Sequence, residues 1–569
     1  MKILHTTLFT LMALMLHGQF TYHHAFTMGN TTYESGQDIA VDADGNAYVA
    51  GTFTAWFDAD PGPGTTILIP AGNDGFLAKY NDAGALQWAF GIGGTGFDAI
   101  YGVEVMGSTV YVTGTYGSVD ADFDPGSGTA TLPYQGGADV FVARYDLTGT
   151  YISSLGIGGG DDDIAVDIEV DTNGDVAICG NFDSSDLDAD PGAGTELLST
   201  AGGDDAFLIK YDASETLLFA HAFGGVGTLD SDRAHGLHIA ASGDIYVTGS
   251  FSSTGGDFDP GPGTVTLSSA GSIDIFISRF NAAGVLQWAQ RIGDTGGDLG
   301  YGLATDNNGN LYFCGYANSA SIDLDPGPGV ENFTSGVGQD IVAVKLDVDG
   351  IYQWGLRIGG GSSDIAFEVV IDDQQHLFLG GNFGDANVDF DPGPGSMLLS
   401  SSSVFETDFF LAQFDLAGNF VDAFDVGGPD TDAIWSMACT PTGRLWVTGN
   451  TIGAVDADPG AGTVLMDPFG GSDIFVGAYD HAHPVGFLGS EFQQFTLHPN
   501  PATDVVTVGS SRPGRGTLRM LATDGRVLLE QHADAFPLEL DLRDVPPGIH
   551  TLHVYSGGSS YSRKLMKLP

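Results

Sequence analysis

The chain has 569 residues, of which 42% are hydrophobic and 11% aromatic, so it holds too much apolar material for a disordered protein and enough for more than one core. Asp and Glu number 73 against 18 Lys and Arg, and the formal net charge of -55 argues against a nucleic-acid partner, because phosphates require a basic surface. The same sign of charge disfavours anionic membrane surfaces.

The N-terminal segment is typical of a secretory signal peptide. Lys2 precedes an apolar run over residues 3–16, which is too short to span a bilayer. We expect cleavage after Gln19, so that residues 1–19 form the signal peptide. The alternative is a buried N-terminal helix. No transmembrane segment is expected in the mature chain.

The motif D-x-D-P-G-x-G then recurs seven times, at intervals of 64 to 69 residues. A period this steady indicates one structural unit repeated seven times. The copies begin at Asp58, Asp122, Asp188, Asp257, Asp323, Asp389 and Asp456.

Each unit has the pattern of four strands. In the first copy, residues 38–53 form two alternating apolar runs around an Asp-Gly-Asn turn, and residues 74–94 form a second hairpin around Asn-Asp-Ala-Gly. No helical period is present. The sequence therefore predicts an all-β fold, a seven-bladed β-propeller of four-stranded blades followed by a small C-terminal β-sandwich.

The two ends of the repeat region predict how the ring closes. The seventh unit has a third strand from Asp473 but no fourth strand after it, whereas the segment from Tyr22 is similar to the fourth strand that begins at Phe219. We expect this N-terminal strand to complete the last blade, because a closed ring leaves no open sheet edge. The predicted propeller spans residues 20–489.

The repeat resembles a known family. The segments IAVDADGNAYVAGTF and DGFLAKY are similar to the SBBP-type seven-bladed β-propeller repeats of exported bacterial proteins, over residues 20–485. The resemblance implies a fold and says little about function, because propellers carry many unrelated activities.

The C-terminal segment differs from the repeats in charge. Residues 501–569 hold eight basic and seven acidic residues, which leaves ten basic and 66 acidic residues for the rest of the chain. This shift marks a domain boundary near residue 490. Alternating apolar strands broken by Pro499, Pro501, Gly525 and the pair Pro546-Pro547 predict a small all-β module.

This module also resembles a known family. The segments FTLHPNPATDVVTV, LRMLATDGRVLLE, LDLRDVPPGIHTLHV and SRKLMKLP are similar, in order and spacing, to the type A sorting domain of the type IX secretion system of Bacteroidota, with His550 where the family usually has Tyr. The resemblance implies that residues 490–569 are handled by the type IX secretion machinery. The implied location is secreted or on the outer-membrane cell surface.

The paired aspartates of the repeated motif are the candidate metal ligands. Carboxylates at i and i+2 of an extended chain point to one side, and calcium takes six to eight oxygen ligands. Asp74, at the start of a third strand, is a possible third carboxylate. The alternative is that the motif is turn chemistry alone, in which Asp accepts backbone hydrogen bonds. The hypothetical calcium loops contain Asp58, Asp60, Asp122, Asp124, Asp188, Asp190, Asp257, Asp259, Asp323, Asp325, Asp389, Asp391, Asp456 and Asp458.

A catalytic site has little support in the sequence. Catalysis requires one asymmetric constellation, and the longest inter-blade loop is the candidate, with a solvated loop as the alternative reading. Its chemistry-bearing residues are Asp230, Asp232, Arg233, His235 and His238. Cys179 and Cys314 occupy one repeat position and are expected to be small core residues, and no hydrolase or phosphate-binding motif is present.

The sequence thus favours an exported, non-catalytic propeller that binds an unknown extracellular protein or glycan. The alternative is a calcium-dependent hydrolase that uses the acidic propeller face. The scarcity of Lys and Arg counts against an anionic substrate for such an enzyme.

Overall fold

The computed structural model describes residues 20–225, 231–334, 338–403, 406–460 and 462–481, and within the remainder residues 495–498, 503–510, 516–521, 527–533, 538–543, 545–556 and 559–568. The predicted signal peptide, residues 1–19, lies outside the described residues, as do residues 482–494 around the predicted domain boundary. The chain contains two compact units, His17–Ala482 and one that includes His483–Pro569. The described residues form strands and loops without helices, so the fold is all-β.

The first unit contains seven four-stranded antiparallel sheets, which we number 1 to 7. In each sheet the strands are given from the innermost to the outermost. They are Glu34–Val41, Ala47–Phe53, Asp74–Tyr80 and Leu86–Ile92 in sheet 1; Asp98–Met106, Thr109–Tyr116, Asp139–Asp146 and Tyr151–Ile157 in sheet 2; Asp163–Val170, Val176–Phe182, Asp205–Tyr211 and Leu217–Phe223 in sheet 3; Asp232–Ile239, Ile245–Phe251, Asp274–Phe280 and Leu286–Ile292 in sheet 4; Asp298–Thr305, Leu311–Ala317, Asp340–Leu346 and Tyr352–Ile358 in sheet 5; Ile365–Ile371, His376–Phe383, Asp408–Asp415 and Phe420–Val426 in sheet 6; and Asp432–Cys439, Arg444–Thr451, Asp473–His481 and Phe20–Met28 in sheet 7.

The inner strands contact one another in sequence order, and the inner strand of sheet 7 contacts that of sheet 1. The sheets therefore form a closed ring around a central channel, the arrangement of a β-propeller. The outermost strand of sheet 7 comes from the N-terminal end of the described chain. It pairs antiparallel with the third strand of that sheet, from Phe20 opposite His481 to Met28 opposite Ile474.

The hydrophobic core lies between adjacent sheets. One cluster joins Tyr48 and Leu77 of sheet 1 to Ile100 and Phe141 of sheet 2, and equivalent clusters fill the other junctions. The junction between sheets 7 and 1 includes Trp446, which is fully buried. Since each side chain packs between two sheets, no single sheet buries its apolar faces alone.

The first hairpin of each sheet follows from its turn chemistry. In sheet 1, Asp42 Oδ1 accepts hydrogen bonds from the backbone N–H groups of Asp44, at 3.0 Å, and Asn46, at 2.9 Å. Gly45 has a φ of 82°, a left-handed conformation that favours glycine. This hairpin therefore uses both the Asp and the Gly of the repeat, whereas sheets 4 and 7 have Ala240 and Thr440 at the Asp position and sheet 6 has Gln375, with a φ of 67°, at the Gly position.

Most D-x-D-P-G loops form a short two-stranded ribbon outside the blades. The residue between the two aspartates is buried in the core, as Ala59 and Phe123 are. In sheet 1 the Tyr80 hydroxyl donates to the Ala59 carbonyl at 2.9 Å. The ribbon strands are Phe57–Asp58 with Ile67–Leu68, Leu187–Asp188 with Leu197–Leu198, Thr254–Asp257 with Thr266–Ser268, Ser321–Asp323 with Asn332–Thr334, Val388–Asp389 with Leu398–Leu399, and Val455–Asp456 with Leu465–Met466.

The second unit contains a three-stranded and a four-stranded sheet. Their strands are Phe495–His498, Val505–Ser510 and Leu538–Asp541, and Val527–Ala533, Gly516–Leu521, Gly548–Ser556 and Ser559–Lys567. Its core includes Val506, Leu518 and Leu540. His550, which stands where the family usually has Tyr, is buried, and its Nε2 lies 2.7 Å from the Pro546 carbonyl oxygen. This contact joins the ends of the Pro-Pro-Gly-Ile-His turn.

Candidate functional site

The two aspartates of each D-x-D-P-G-x-G loop hold the loop backbone. Asp58 Oδ1 accepts from the N–H groups of Asp60, at 3.1 Å, and Thr66, at 2.7 Å. Asp60 Oδ1 accepts from the Gly62 N–H at 2.8 Å. The other six loops repeat these bonds at Asp122 and Asp124, Asp188 and Asp190, Asp257 and Asp259, Asp323 and Asp325, Asp389 and Asp391, and Asp456 and Asp458.

Turn chemistry therefore accounts for both aspartates of the motif. Asp74, the possible third carboxylate, accepts from the Ala71 N–H at 2.9 Å and lies beside Asp98 of the next sheet. Within the described part of the chain, Asp58, Asp60 and Asp74 do not form a group of three close ligand atoms. Calcium binding by the fourteen loop aspartates stays a prediction.

A ring of buried acidic pairs lies at the sheet junctions. The first residue of each third strand meets the acidic residue at the start of the next inner strand, and all fourteen side chains are buried. Burial raises the pKa of Asp139 to about 6 and that of Asp163 to about 7, and for Asp163 the neighbouring Asp139 acts in the same direction. The pairs are Asp74 and Asp98, Asp139 and Asp163, Asp205 and Asp232, Asp274 and Asp298, Asp340 and Asp364, Asp408 and Asp432, and Asp473 and Glu34.

The seven sheets differ from one another at the central channel. Each inner strand begins at an acidic residue or, in sheet 6, directly after one, Asp364. The fourth residue counted from this acidic residue is partly exposed at the channel. Those fourth residues are Gln37, Tyr101, Val166, His235, Tyr301, Phe367 and Trp435. A β-bulge follows the third residue in most inner strands and turns the next side chains toward the channel.

Sheets 4 to 7 present a continuous row of rings, which we call the aromatic side of the channel. The His235 and Tyr301 ring centroids are 5.3 Å apart, those of Tyr301 and Phe367 are 5.0 Å apart, and those of Phe367 and Trp435 are 4.6 Å apart. Rings in such contact form a rigid apolar surface.

Sheets 1 to 3 present carboxylates, and we call Asp38, Glu104, Asp167 and Glu169 the acidic side of the channel. Enclosure raises the pKa of Glu104 well above its usual value, and the charges of Glu169 and Asp38 add to the effect. Enclosure also raises the pKa of Asp167, with further contributions from Asp38 and Glu169. The channel is therefore an unfavourable environment for a further negative charge, because its carboxyl groups already disfavour ionisation of one another.

Glu368 of sheet 6 extends this acidic region. Its pKa is raised well above the usual value by enclosure and, across the channel, by the charges of Asp167 and Asp38. His238 connects the acidic side to the next sheets, because its Nδ1 lies 3.2 Å from Glu169 Oε1 and its Nε2 lies 2.9 Å from Thr305 Oγ1.

The structure separates the residues of the inter-blade loop that the sequence singled out. Asp230 lies outside the described residues. Asp232 belongs to a buried acidic pair, and Arg233 forms an ion pair with Asp204. His235 and His238 lie in the channel. The loop is therefore not one site, and its two histidines contribute to the channel instead.

The basic residues of the propeller are paired with carboxylates. All nine Lys and Arg residues within residues 20–481 form ion pairs with Asp or Glu.

The described cysteines offer no activated thiol, because burial raises the pKa of Cys179 and Cys314 well above the usual value and that of Cys439 to about 12.

One further group was missed by the sequence analysis. Asp372, His376 and His481 place three possible ligand atoms within 4.8 Å of one another. The available signal was a departure from the repeat, since His376 stands where Asn46 and Asn310 stand in sheets 1 and 5.

Comparison with known families agrees with this architecture. Residues 287–323 match the family model described as a beta-propeller repeat, SBBP, and residues 496–568 match a secretion system C-terminal sorting domain. The chain therefore contains a β-propeller repeat and a C-terminal sorting domain. Its type IX sorting domain indicates secretion and attachment at the cell surface. Among the described residues, no helix is long and apolar enough to cross a membrane.

Individual relatives are distant. An uncharacterized WD repeat-containing protein of Acanthamoeba polyphaga mimivirus is 24% identical, over 62% of this chain and 30% of its own length. The regulatory protein FlaEY of Caulobacter vibrioides is 28% identical, over 49% of this chain and 28% of its own length. The chain thus spans less than a third of either relative. A solved structure described as a polysaccharide lyase, an ulvan lyase, has 11% identity and a TM-score of 0.36, covering 78% of this chain and 97% of that one.

Proposed function

We propose that this exported propeller is a non-catalytic binding protein that holds a neutral or basic extracellular ligand, a glycan or a protein segment, in its central channel. The observation that carries the proposal is the contrast between repeated and variable positions. The residue at the start of every inner strand, or directly before it in sheet 6, is Asp or Glu, whereas the channel residues three positions later range from Gln37 to Trp435. Positions that maintain the fold have the same residue type in every repeat, whereas recognition of one ligand requires positions whose residues differ between repeats.

The chemistry of the channel favours such ligands. Aromatic rings stack on the apolar faces of sugars and on cationic side chains, and the carboxyl groups opposite, in either protonation state, form hydrogen bonds with hydroxyl groups. Polyanions are disfavoured by the net charge of -55 and by the engagement of all nine propeller cations in ion pairs. This pairing also argues against catalysis on phosphorylated substrates.

A hydrolase that uses the acidic side of the channel is the second candidate. It is favoured by the raised pKa values of Glu104 and Glu368, since a general acid must stay protonated near neutral pH. Under this alternative, Glu104→Gln would abolish turnover of a bound glycan. Under the binding proposal, bound glycans are recovered intact.

The test is a screen of glycans and extracellular proteins against the purified chain, followed by titration of each hit with two variants. Trp435→Ala removes the end of the aromatic side and should weaken binding about fivefold or more, because stacking contributes about 1 kcal/mol or more. Trp56→Ala is the matched control, since Trp56 is 57% exposed and lies outside the inner strands. Equal affinities for the two variants would contradict binding in the channel.

A further inference from the structure

Asp372, His376 and His481 form a compact polar cluster at the junction of sheets 6 and 7. Asp372 lies in the first hairpin turn of sheet 6, His376 begins the strand after that turn, and His481 ends the third strand of sheet 7. Asp372 Oδ2 lies 2.8 Å from His376 Nδ1 and 3.3 Å from His481 Nε2. The side chains of Asp372 and His481 are each 1% exposed, and that of His376 is 18% exposed.

The other carboxylate oxygen of Asp372 is used by the turn. Asp372 Oδ1 accepts from the backbone N–H groups of Gln374, at 2.9 Å, and His376, at 2.8 Å. Oδ2 is therefore directed away from the turn, toward the two imidazole rings. The cluster has one preoriented carboxylate oxygen and two nitrogen ligands.

The equivalent positions of other sheets show what is unusual here. In sheet 1, Asp42 Oδ2 accepts from the Asn46 amide at 2.8 Å and from the Tyr48 hydroxyl at 3.0 Å, and it forms an ion pair with Lys79 at 3.3 Å. In sheet 5, Asp306 Oδ2 has the equivalent partners: it accepts hydrogen bonds from Asn310 and Tyr312 and forms an ion pair with Lys345.

Sheet 6 replaces all three of these partners. His376 stands in place of the Asn, Phe378 in place of the Tyr, and Gln413 in place of the Lys. The carboxylate thus loses its fixed positive partner and gains two imidazoles, one of them from the neighbouring sheet. Two His and one carboxylate are a frequent ligand set for transition-metal ions, and imidazole is not a calcium ligand.

We propose that Asp372, His376 and His481 bind one divalent transition-metal ion of the zinc class. Ligand bonds of about 2.0–2.1 Å place the atoms of a tetrahedral zinc site roughly 3.3 Å apart. Asp372 Oδ2 lies at this distance from His481 Nε2 and closer, at 2.8 Å, to His376 Nδ1, so the His376 ring has to shift by about half an ångström to admit the ion. The exposed edge of His376 leaves the fourth position to water. The site is independent of the channel and of the ligand proposed there.

The position of the ion suggests its role. His481 lies directly opposite Phe20 in the strand pairing that completes sheet 7, and the Phe20 ring packs 4.8 Å from that of Phe424 of sheet 6. An ion held between Asp372 and His481 therefore joins sheet 6 to the strand pair that closes the ring. Its effect is to stabilise the native state by mass action.

The test is titration of the purified mature chain, without an affinity tag of histidines, with Co²⁺ and Zn²⁺ after treatment with chelator. His376→Asn is the main variant, because Asn occupies this position in sheets 1 and 5 and donates to the Asp of the turn there. His481→Gln is the second variant. His23→Asn is the control, since His23 and His24 form a separate neighbouring pair with their Nδ1 atoms 2.6 Å apart.

We expect the wild type and the His23→Asn variant each to bind one equivalent of ion. Their affinity should be at least tenfold higher than that of His376→Asn, and with Co²⁺ they should show the visible absorption of a tetrahedral Co²⁺ site. Zn²⁺ should raise their melting temperature by a few degrees and leave that of His376→Asn unchanged. All four proteins are compared in chelator first, so that a folding defect is separated from loss of metal. Equal stoichiometry and equal thermal shifts in the wild type and His376→Asn would overturn the proposal, whatever the behaviour of His481→Gln.

Discussion

Phe20 lies opposite His481 in an antiparallel pairing that joins the N-terminal strand of the propeller to the third strand of sheet 7. This pairing is the only connection in the described ring that unites its first and last strands within one sheet. Deleting residues 20–28 should therefore open sheet 7, expose a strand edge, and lower the melting temperature by more than ten degrees or cause aggregation. Calorimetry and light scattering measure the two effects.

A control for this deletion is the double substitution Thr21→Ala and Thr27→Ala, which keeps the strand. If the deleted protein stayed monomeric at unchanged stability, the pairing would not be needed to hold the ring.

The buried acidic pairs predict that the propeller loses stability as pH rises from about 4 to about 7. The pKa of Asp139 is raised to about 6 and that of Asp163 to about 7, so the folded chain retains protons that the unfolded chain releases between about pH 4 and pH 7. Stability therefore falls as pH rises through this window and is recovered below it. We expect a higher melting temperature at pH 5.5 than at pH 8 in metal-free buffer.

Asp139→Asn tests the source of this effect. The variant removes one charge of a buried pair and should stabilise the protein at pH 8 by about 1–3 kcal/mol, with a smaller dependence on pH. Asp44→Asn makes the same charge change at an exposed turn and is the control. Identical pH profiles for the two variants would assign the effect to net charge alone.

The last glycine of the D-x-D-P-G-x-G loop is predicted to be essential for the shape of that loop. A Cβ atom on Gly64 would lie 2.0 Å from Asp60 Oδ2, whereas one on Gly62 would lie 3.0 Å from Asp60 Oδ1. Gly64→Ala should therefore displace the Asp60 side chain and destabilise the protein by about 1–3 kcal/mol. Gly62→Ala should cost less. Thermal melting and limited proteolysis of the loop distinguish the two, and equal effects would contradict this reading of the motif.

If the D-x-D-P-G loops bind calcium, calcium should raise the melting temperature and chelator should lower it. Asp58→Asn is the sharpest variant, because its amide oxygen can still accept the N–H groups of Asp60 and Thr66 while one charge is lost. It should bind one calcium ion fewer than the wild type in a direct titration. A melting curve unaffected by calcium and chelator would indicate that the aspartates of the motif only hold the turn and do not bind calcium.

Export is tested by removing residues 490–569. Because the sorting domain directs secretion, the truncated chain should fold and remain in the periplasm, and the same residues placed behind a signal peptide and a neutral reporter should carry the reporter outside. Cell fractionation and surface labelling report both results. Efficient surface delivery of the truncated chain would show that the domain is not the export signal.

The fold could be predicted from the sequence because its determinants are local. Alternating apolarity specifies the hairpins, and turns of Asp and Gly, such as the turn at Asp42, mark where many of them reverse direction. The buried position of Ala59 between two aspartates also follows from strand alternation.

The candidate sites could not be predicted in the same way, because they join residues of different sheets. Asp139 meets Asp163 only once sheets 2 and 3 pack together. The bulge that turns Trp435 and His235 to the channel has no signal in a single strand. His481 contacts Asp372 only because sheets 6 and 7 are neighbours in the closed ring. The sequence does mark sheet 6 as different, because Gln413 stands at the third-strand position where sheets 1 to 5 have Lys or Arg.

The position of Phe20–Met28 in sheet 7 has a kinetic consequence for biogenesis. This segment is synthesised before any other part of the propeller, yet its partner Asp473–His481 is made last. Ring closure is thus the contact of greatest sequence separation in the propeller, and such contacts form slowly. Until the last repeat has emerged, the growing chain has no way to complete its final blade. Closure therefore falls after synthesis of the last repeat, and the propeller cannot reach its complete fold before then.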